Sequence, residues 1–228
     1  REPDDGMIEV AVAAFEKVLS MDADPEEKGC KFVCPEKMSS VRKRVAESFA
    51  AKGIDGADGD WILCEVTGKK RSELNGECIL PASKVEKIDN LTAERLTGKP
   101  LWYILGVCNF YGYDFKVDGR VLIPRPETEE LVGEALAIVR AEDRVLDLCT
   151  GSGAIACVVA LKTGATVVAS DISDAALSLA RENAASLGAQ VEFVRGNLFE
   201  NAEGKFSVIL SNPPYICLLY TSPSPRDA

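Results

Sequence analysis

The sequence predicts an α/β fold built on a parallel sheet and preceded by a small helical domain. From residue 145 to 210, short apolar strands alternate with amphipathic helices, a pattern typical of parallel strands joined by right-handed crossovers. Residues 38–100 instead repeat apolar side chains at helical spacing, with helix-ending glycines at Gly68 and Gly98. Of the 228 residues, 46% are hydrophobic and 27% charged, so the chain can bury a globular core.

Charge and residue types exclude several classes of function. The chain carries 36 acidic and 26 basic residues, a net charge of -10, which argues against a general nucleic-acid binder. It contains no histidine, which excludes Ser-His-Asp triads, Cys-His dyads and histidine metal sites. The eight cysteines follow no metal-binding spacing, so we expect reduced thiols and no bound metal. No apolar run reaches the ~18 residues that a membrane span needs.

The pattern divides the chain into five expected parts. These are an acidic helix with a linker (1–37), a helical domain (38–100), a β-hairpin linker (101–125), a partial sheet domain (126–216) and a tail (217–228). The hairpin is predicted to turn at Asp118-Gly119, because Asp-Gly between alternating apolar residues is a strong hairpin signal.

A glycine-rich loop follows the first predicted strand of the sheet, and an acid ends the second. Glycines allow a tight turn and let backbone N–H groups approach a ligand at a helix N-terminus. Asp171, twenty residues after Gly151, stands where an acid accepts hydrogen bonds from a ribose diol. These residues favour an adenosine-containing ligand, without separating a dinucleotide from S-adenosylmethionine. The residues expected to contact the ligand are Asp147, Thr150, Gly151, Ser152, Gly153, Ala154 and Asp171.

Asn212-Pro213-Pro214-Tyr215 follows the fourth predicted strand, where an open α/β sheet binds its ligands. Because both proline rings fix φ, the Asn212 side-chain oxygen and the Pro213 carbonyl can be held as two acceptors. Two acceptors suit a planar –NH2 group, and Tyr215 offers a face for stacking. Aiming that nitrogen at a sulfonium methyl requires positioning but no histidine. We therefore predict these four residues as catalytic, with Asn212 also contacting the cofactor; the alternative is a proline turn that only ends a strand.

Residues 38–216 resemble the HemK/PrmC family, whose members methylate the glutamine side-chain nitrogen of peptide chain release factors. Besides the glycine-rich loop and Asn-Pro-Pro-Tyr, the resemblance rests on four blocks at 65–69, 98–100, 103–106 and 122–129. It implies a helical domain that recognises the release factor, a hairpin linker and a Rossmann-like class I S-adenosylmethionine methyltransferase domain. The implied reaction is N5-methylation of the glutamine in the factor's Gly-Gly-Gln loop.

The chain departs from the family pattern in several places. Cys149 replaces the usual first glycine of the cofactor loop. Asn197 and Leu198 stand where many relatives carry Asp-Trp, and the resemblance implies that they contact adenine. The family continues beyond Ile216 by about three strands, which the last twelve residues do not resemble. We therefore expect a sheet domain truncated at its C-terminus, and residues 1–37 foreign to the family.

Two further interpretations remain open at this point. The same Asn-Pro-Pro-Tyr pattern occurs in enzymes that methylate adenine N6 in DNA, although no target-recognition domain or basic cleft is visible. The chain could also be an inactive truncated fragment, with a sheet edge left uncovered. A dehydrogenase would leave Asn-Pro-Pro-Tyr without a purpose. The leading expectation is a cytoplasmic, monomeric methyltransferase whose partner is a release factor and which contacts neither nucleic acid nor membrane.

Overall fold

The computed structural model describes residues 34–213, which form two compact units. The helical unit ends at Leu105 and the sheet unit begins at Gly106, inside the segment predicted as a hairpin linker. The predicted acidic N-terminal helix and the C-terminal tail lie outside the described residues, as do Pro214 and Tyr215. No helix within residues 34–213 is both long and apolar enough to cross a membrane.

Within residues 34–105, the helical unit is formed by four helices and a two-stranded antiparallel ladder. Its elements are β1 Glu36–Lys37, α1 Met38–Ala50, α2 Gly56–Thr67, β2 Ile79–Leu80, α3 Ala82–Leu96 and α4 Leu101–Leu105. Each longer helix buries the face on which its apolar residues recur, as an amphipathic pattern requires. Helices α1 and α2 lie very close, since a Cβ on Gly59 would stand 2.8 Å from Cγ1 of Val45.

A buried carboxylate joins three segments of the helical unit. Asp60 in α2 is 6% exposed and accepts two hydrogen bonds from Arg42 of α1, at 2.7 and 2.9 Å. Arg71, in the 3₁₀ turn that follows α2, donates a third at 2.7 Å. The hydrogen bond from Arg42 lowers the pKa of Asp60, and the hydrogen bond from Arg71 lowers it further. Burial acts in the opposite direction, but the pKa stays below its ordinary value. The carboxylate is therefore buried with its partners in place.

Between residues 106 and 213, the sheet unit contains a hairpin, three helices and four parallel strands. Its elements are β3 Val107–Phe110, β4 Tyr113–Lys116, α5 Pro126–Ile138, β5 Arg144–Leu148, α6 Ala154–Thr163, β6 Thr166–Asp171, α7 Asp174–Leu187, β7 Val191–Arg195 and β8 Val208–Ser211. The alternation of strands and helices predicted from the sequence is confirmed.

The predicted position of the hairpin turn is wrong. Strands β3 and β4 pair around Tyr111 and Gly112, whose φ angles are 52° and 82°. Positive φ at both central residues is what a two-residue turn of type I′ requires. Asp118 lies beyond β4, where its carboxylate pairs with Arg120 at 2.7 Å. The Asp-Gly signal thus belongs to the turn after the hairpin, and Tyr-Gly makes the hairpin itself.

The four parallel strands are arranged in the order β7-β6-β5-β8. The chain proceeds outward from β5 through β6 to β7, and then returns to the opposite side of β5 to form β8. This reversal is a topological switch point, beside which open α/β sheets bind their ligands. Leu148 is paired with Ser211 at the carboxyl ends of β5 and β8, so the loops that follow these strands are neighbours.

Candidate functional site

An open cleft lies at the carboxyl ends of β5 and β8. Of the predicted site residues, the cleft brings together Thr150, Gly151, Ser152, Ala154 and Asn212. The facing wall comes from the segment that leads into α5. Parts of the chain far apart in sequence therefore meet at the switch point.

Asp147 lies beneath the loop that forms one wall of the cleft. Its side chain is fully buried, and its Oδ2 accepts a hydrogen bond of 2.6 Å from the Thr150 hydroxyl. Burial raises the pKa of Asp147 to about 7, although the hydrogen bonds from Thr150 and from the Ala156 backbone act in the opposite direction. Asp147, which the sequence predicts to contact the ligand, therefore lies beneath the loop and supports it. Its hydrogen-bond partner Thr150 lines the cleft.

Three residues of the loop have left-handed backbone conformations. Cys149, Gly151 and Gly153 have φ angles of 59°, 56° and 79°. Gly153 also permits close packing of α6 on α7, because a Cβ there would lie 3.1 Å from Cβ of Ala180. Cys149 adopts a conformation that costs a non-glycine residue about 1–2 kcal/mol. The structure thereby explains why a glycine is usual at that position.

Asp171 connects the end of β6 to the glycine-rich loop. Its Oδ2 accepts a hydrogen bond from the Gly151 backbone N–H at 2.9 Å, and its Oδ1 accepts one from the Ser173 N–H, also at 2.9 Å. A carboxylate offers about four acceptor positions, so each oxygen can accept a further hydrogen bond. The half-buried carboxylate is thus fixed in orientation and can still receive the two hydroxyls of a ribose.

Exposed apolar side chains follow the ends of β6 and β7. Ile172, directly after the acid, is 64% exposed, and Leu198 is 50% exposed. The Ser170 hydroxyl donates to the Leu198 carbonyl at 3.2 Å, which holds the second loop beside β6. Asn197 is exposed, and its backbone N–H donates to Glu200 at 3.1 Å. Sequence reasoning missed Ile172, although an apolar residue immediately after a strand-ending acid was the available signal.

Asn212 lies on the opposite side of the switch point, just after β8. Its side-chain Nδ2 donates a hydrogen bond of 3.0 Å to the hydroxyl of Thr128, near the start of α5. The preceding residue, Ser211, contributes a hydroxyl that donates to the Leu148 carbonyl at 3.4 Å. Pro213 is exposed at the end of the described chain. The predicted stacking partner Tyr215 lies outside the described residues.

Asn183 is a buried residue that sequence reasoning did not find. It is 1% exposed on α7, and its Nδ2 donates to the carbonyls of Ser152, at 2.9 Å, and Lys116, at 3.1 Å. Its Oδ1 accepts from the Lys116 N–H at 2.8 Å. One amide therefore connects the hairpin, α7 and the glycine-rich loop. An asparagine among the alanines of a core-facing helix was the only sequence signal.

Across residues 34–213, no three His, Cys, Asp or Glu side chains come together in a way that could hold a metal ion. The cysteines described there are free thiols.

Comparison with known proteins defines the class of the sheet unit. The family model for the methyltransferase small domain matches residues 129–220, and that for the PrmC N-terminal domain matches residues 40–106. Together with the strand order, the glycine-rich loop and the strand-ending acid, this match makes the sheet unit a Rossmann-like class I S-adenosylmethionine methyltransferase domain.

Curated relatives define the family. A release factor glutamine methyltransferase of Neisseria gonorrhoeae is 52% identical over 141 residues, which cover 60% of this chain and 52% of the relative. Another from Chlorobaculum tepidum is 37% identical over 211 residues, covering 84% and 70%. The chain belongs to the HemK/PrmC family of release factor glutamine methyltransferases. It spans between about half and 70% of the length of these two relatives.

Solved structures give a weaker likeness. A methyltransferase of Pyrococcus furiosus is 23% identical, with a TM-score of 0.42, and the match covers 56% of this chain and 63% of that structure.

Proposed function

We propose that this chain transfers a methyl group from S-adenosylmethionine to the side-chain nitrogen of the glutamine in the Gly-Gly-Gln loop of a peptide chain release factor. The observation that carries the proposal is that Asn212 and the glycine-rich loop after β5 line one cleft at the switch point of the sheet. A cofactor held by the loop would thereby lie beside a substrate held by Asn212. The names of the relatives supply the identity of the substrate.

The cofactor would be held by residues of the sheet unit alone. The loop Thr150 to Ala154 would hold its methionine end through backbone N–H groups at the start of α6. Asp171 would accept hydrogen bonds from both ribose hydroxyls. Ile172 and Leu198 would pack on adenine, with Asn197 able to hydrogen-bond at its edge. When bound, S-adenosylmethionine supplies a methyl group on a positively charged sulfur, open to displacement by a nitrogen nucleophile.

The substrate amide would be held by the chain segment after β8. An amide nitrogen is a poor nucleophile because its lone pair is delocalised into the carbonyl. The Asn212 side-chain oxygen and the Pro213 carbonyl would accept the two N–H bonds, fix the plane of the amide and favour the charge that develops on nitrogen. Pro214 and Tyr215 would complete this clamp, with the tyrosine ring stacked on the amide plane. No histidine is needed for this chemistry.

The helical unit would recognise the body of the release factor, a role supported by the match of residues 40–106 to the PrmC N-terminal domain. We propose that the enzyme works as a monomer in the cytoplasm, where translation terminates. Its net charge of -10 favours a protein substrate over direct contact with nucleic acid.

Methylation of a purified bacterial release factor with radiolabelled S-adenosylmethionine tests the proposal. Wild-type chain should label the factor, and a factor whose Gly-Gly-Gln glutamine is replaced by alanine should stay unlabelled. Asn212→Ala should lower the transfer rate by about 100-fold or more, while the Kd for S-adenosylhomocysteine, measured by calorimetry, changes less than about threefold.

Asn109→Ala is a matched control, because Asn109 is exposed on the hairpin and bonds only locally to Asp114. Equal activity of the wild type and Asn212→Ala would overturn the assigned role of Asn212. Cofactor binding without transfer to the factor, accompanied by methylation of adenine in DNA, would favour the DNA methyltransferase alternative. Absence of cofactor binding would favour an inactive fragment.

A further inference from the structure

Arg125 lies in the wall of the cleft that faces the glycine-rich loop. It directly precedes α5, between Pro124 and Pro126, and its side chain is exposed. Of the residues within 34–213 that line the cleft, Arg125 is the only one that carries a formal charge. This wall therefore presents a single cation to any ligand that the loop holds.

The fold itself does not engage this charge. Within residues 34–213, the Arg125 guanidinium takes part in no hydrogen bond or ion pair. The acids in the first turn of α5 are the partners expected at a helix start, yet Glu129 accepts a hydrogen bond of 2.7 Å from the Tyr111 N–H instead. The backbone of Arg125 is held, because its carbonyl accepts a hydrogen bond of 3.0 Å from the Thr128 N–H. An anchored arginine is thus left with its guanidinium available in the cleft.

The glycine-rich loop has already committed several of its own donors. The Thr150 N–H donates to the Ser170 carbonyl at 3.0 Å, and the Gly153 N–H donates to the Thr150 carbonyl at 2.9 Å. The Gly151 N–H donates to the Asp171 carboxylate at 2.9 Å. These three N–H groups face acceptors of the protein. A carboxylate held at this loop therefore needs a donor from the facing wall, besides those at the start of α6.

The charges of S-adenosylmethionine identify the group that Arg125 can contact. The cofactor carries one anionic group, the carboxylate of its methionine end, whereas its ammonium and its sulfonium are both positive. A cation in the wall would oppose binding of the two positive groups unless it contacted the carboxylate. The planar guanidinium also matches a carboxylate geometrically, since it offers two parallel N–H donors to the two oxygens.

We propose that Arg125 binds the carboxylate at the methionine end of the cofactor, and so distinguishes ligands that carry the amino-acid part from those that lack it. The inference rests on the placement of the cofactor in the proposed function, and it adds the side chain that selects the methionine end. Loss of the guanidinium should consequently weaken ligands that have the carboxylate and leave the others unaffected.

Two ligands isolate the carboxylate. S-adenosylhomocysteine contains it, whereas 5′-methylthioadenosine has the adenosine and the thioether without the amino-acid part. In calorimetric titrations, Arg125→Gln should raise the Kd for S-adenosylhomocysteine by about tenfold, and should leave the Kd for 5′-methylthioadenosine within about twofold of wild type. Arg125→Lys keeps the charge but loses the paired donors, so it should raise the first Kd by only about threefold.

Arg140→Gln is the matched control. Arg140 is an exposed arginine just beyond the other end of α5, so its substitution removes the same charge from the same unit. This variant should bind both ligands as wild type does. Since 5′-methylthioadenosine is titrated into every variant, its unchanged Kd also shows that the site of Arg125→Gln is correctly folded.

An Arg125→Gln variant that binds S-adenosylhomocysteine as tightly as wild type would overturn the proposal. Equal weakening of both ligands would overturn it as well, because the substitution would then have disturbed the whole site. So would an unchanged cofactor Kd with a raised KM for the release factor, which would assign Arg125 to the substrate. A wild-type chain that shows the expected ligand pattern without methylating the factor would overturn only the proposed substrate, and the role of Arg125 would stand.

Discussion

The carboxylate of Asp171 accepts a hydrogen bond from the backbone N–H of Gly151, across 2.9 Å. The acid that ends β6 and the glycine-rich loop that follows β5 are therefore one structural element, not two independent contacts for a ligand. The left-handed conformation of Gly151 turns its N–H towards the acid. Loss of the carboxylate would consequently loosen the loop, in addition to removing the acceptor that we propose for the ribose.

Replacement of Asp171 by alanine should raise the Kd for S-adenosylhomocysteine by about 10- to 100-fold, since hydrogen bonds to a charged group contribute about 1.5–3 kcal/mol. Isothermal titration calorimetry measures this effect. Asp174→Ala is the matched control, because Asp174 lies three residues away and forms only an exposed ion pair with Arg195. An Asp171→Ala variant that binds as tightly as the control would contradict the assignment of Asp171 to the ribose.

Replacement of Asn183 by alanine should lower the free energy of unfolding of the sheet unit by about 2–4 kcal/mol. One buried and two part-buried hydrogen bonds are lost, and the Lys116 N–H and Ser152 carbonyl lose this partner. Urea unfolding followed by circular dichroism gives the value, and hydrogen exchange should rise in β4 and in the glycine-rich loop. The exposed Asn109→Ala should cost less than about 0.5 kcal/mol. Equal free energies of unfolding for Asn183→Ala and Asn109→Ala would show that the Asn183 hydrogen bonds do not stabilise the sheet unit.

The regular part of the fold follows from local sequence patterns. The four strands lie between Arg144 and Ser211, which agrees with the strand-and-helix alternation predicted from residue 145 to 210. The hairpin was misplaced because Asp118-Gly119 is the stronger local signal. Tyr111 adopts positive φ only because the surrounding structure holds it: its N–H bonds to Glu129, and Phe110 and Phe115 are buried on the paired strands. Tertiary packing overrode the local preference.

In the candidate site, too, local sequence patterns predict some residues but not the contacts made by tertiary packing. Residue types and strand ends predict the glycine-rich loop, Asp171 and Asn212, since each carries a recognisable chemical group at a strand end. The contacts of Thr128 and Asn183 span 84 and 67 residues, and no periodicity encodes them. The sequence also cannot distinguish a half-buried acid at a strand end from a fully buried one, which is the difference between Asp171 and Asp147.

The helical unit should lose stability in acid through Asp60. Its folded-state pKa is lowered, so its contribution is complete above the unfolded pKa of about 3.9 and is lost as pH falls through the folded value. Tryptophan fluorescence reports on this unit alone, because Trp61 and Trp102 are the only tryptophans of the chain. At neutral pH, Asp60→Asn should cost about 1–3 kcal/mol, and its stability should depend less on pH below 4 than that of wild type.

Asp89→Asn is the control for Asp60, since the Asp89 ion pair with Arg44 is far more exposed. If Asp60→Asn and Asp89→Asn responded alike to acid, the buried ion pairs would not be the source of the acid sensitivity.

The sheet unit should show the opposite pH dependence through Asp147. Burial raises its folded-state pKa to about 7, while the unfolded value is about 3.9. Below pH 4 both states are protonated; between pH 4 and 7 only the unfolded state ionises, so stability falls by about 1.4 kcal/mol per pH unit. Above pH 7 both states are ionised, and the folded unit carries a constant penalty of about 4 kcal/mol.

Asp147→Asn tests this penalty, because asparagine keeps an acceptor for the Thr150 hydroxyl and cannot ionise. Urea unfolding of the sheet unit can be followed by circular dichroism at pH 5, 6 and 7. The free energy of unfolding should fall with rising pH for wild type and stay nearly constant for the variant. The two curves should therefore separate as pH rises. Parallel curves would mean that Asp147 is ionised in the folded unit at pH 5, with its charge stabilised by the Thr150 hydroxyl and the start of α6 despite complete burial.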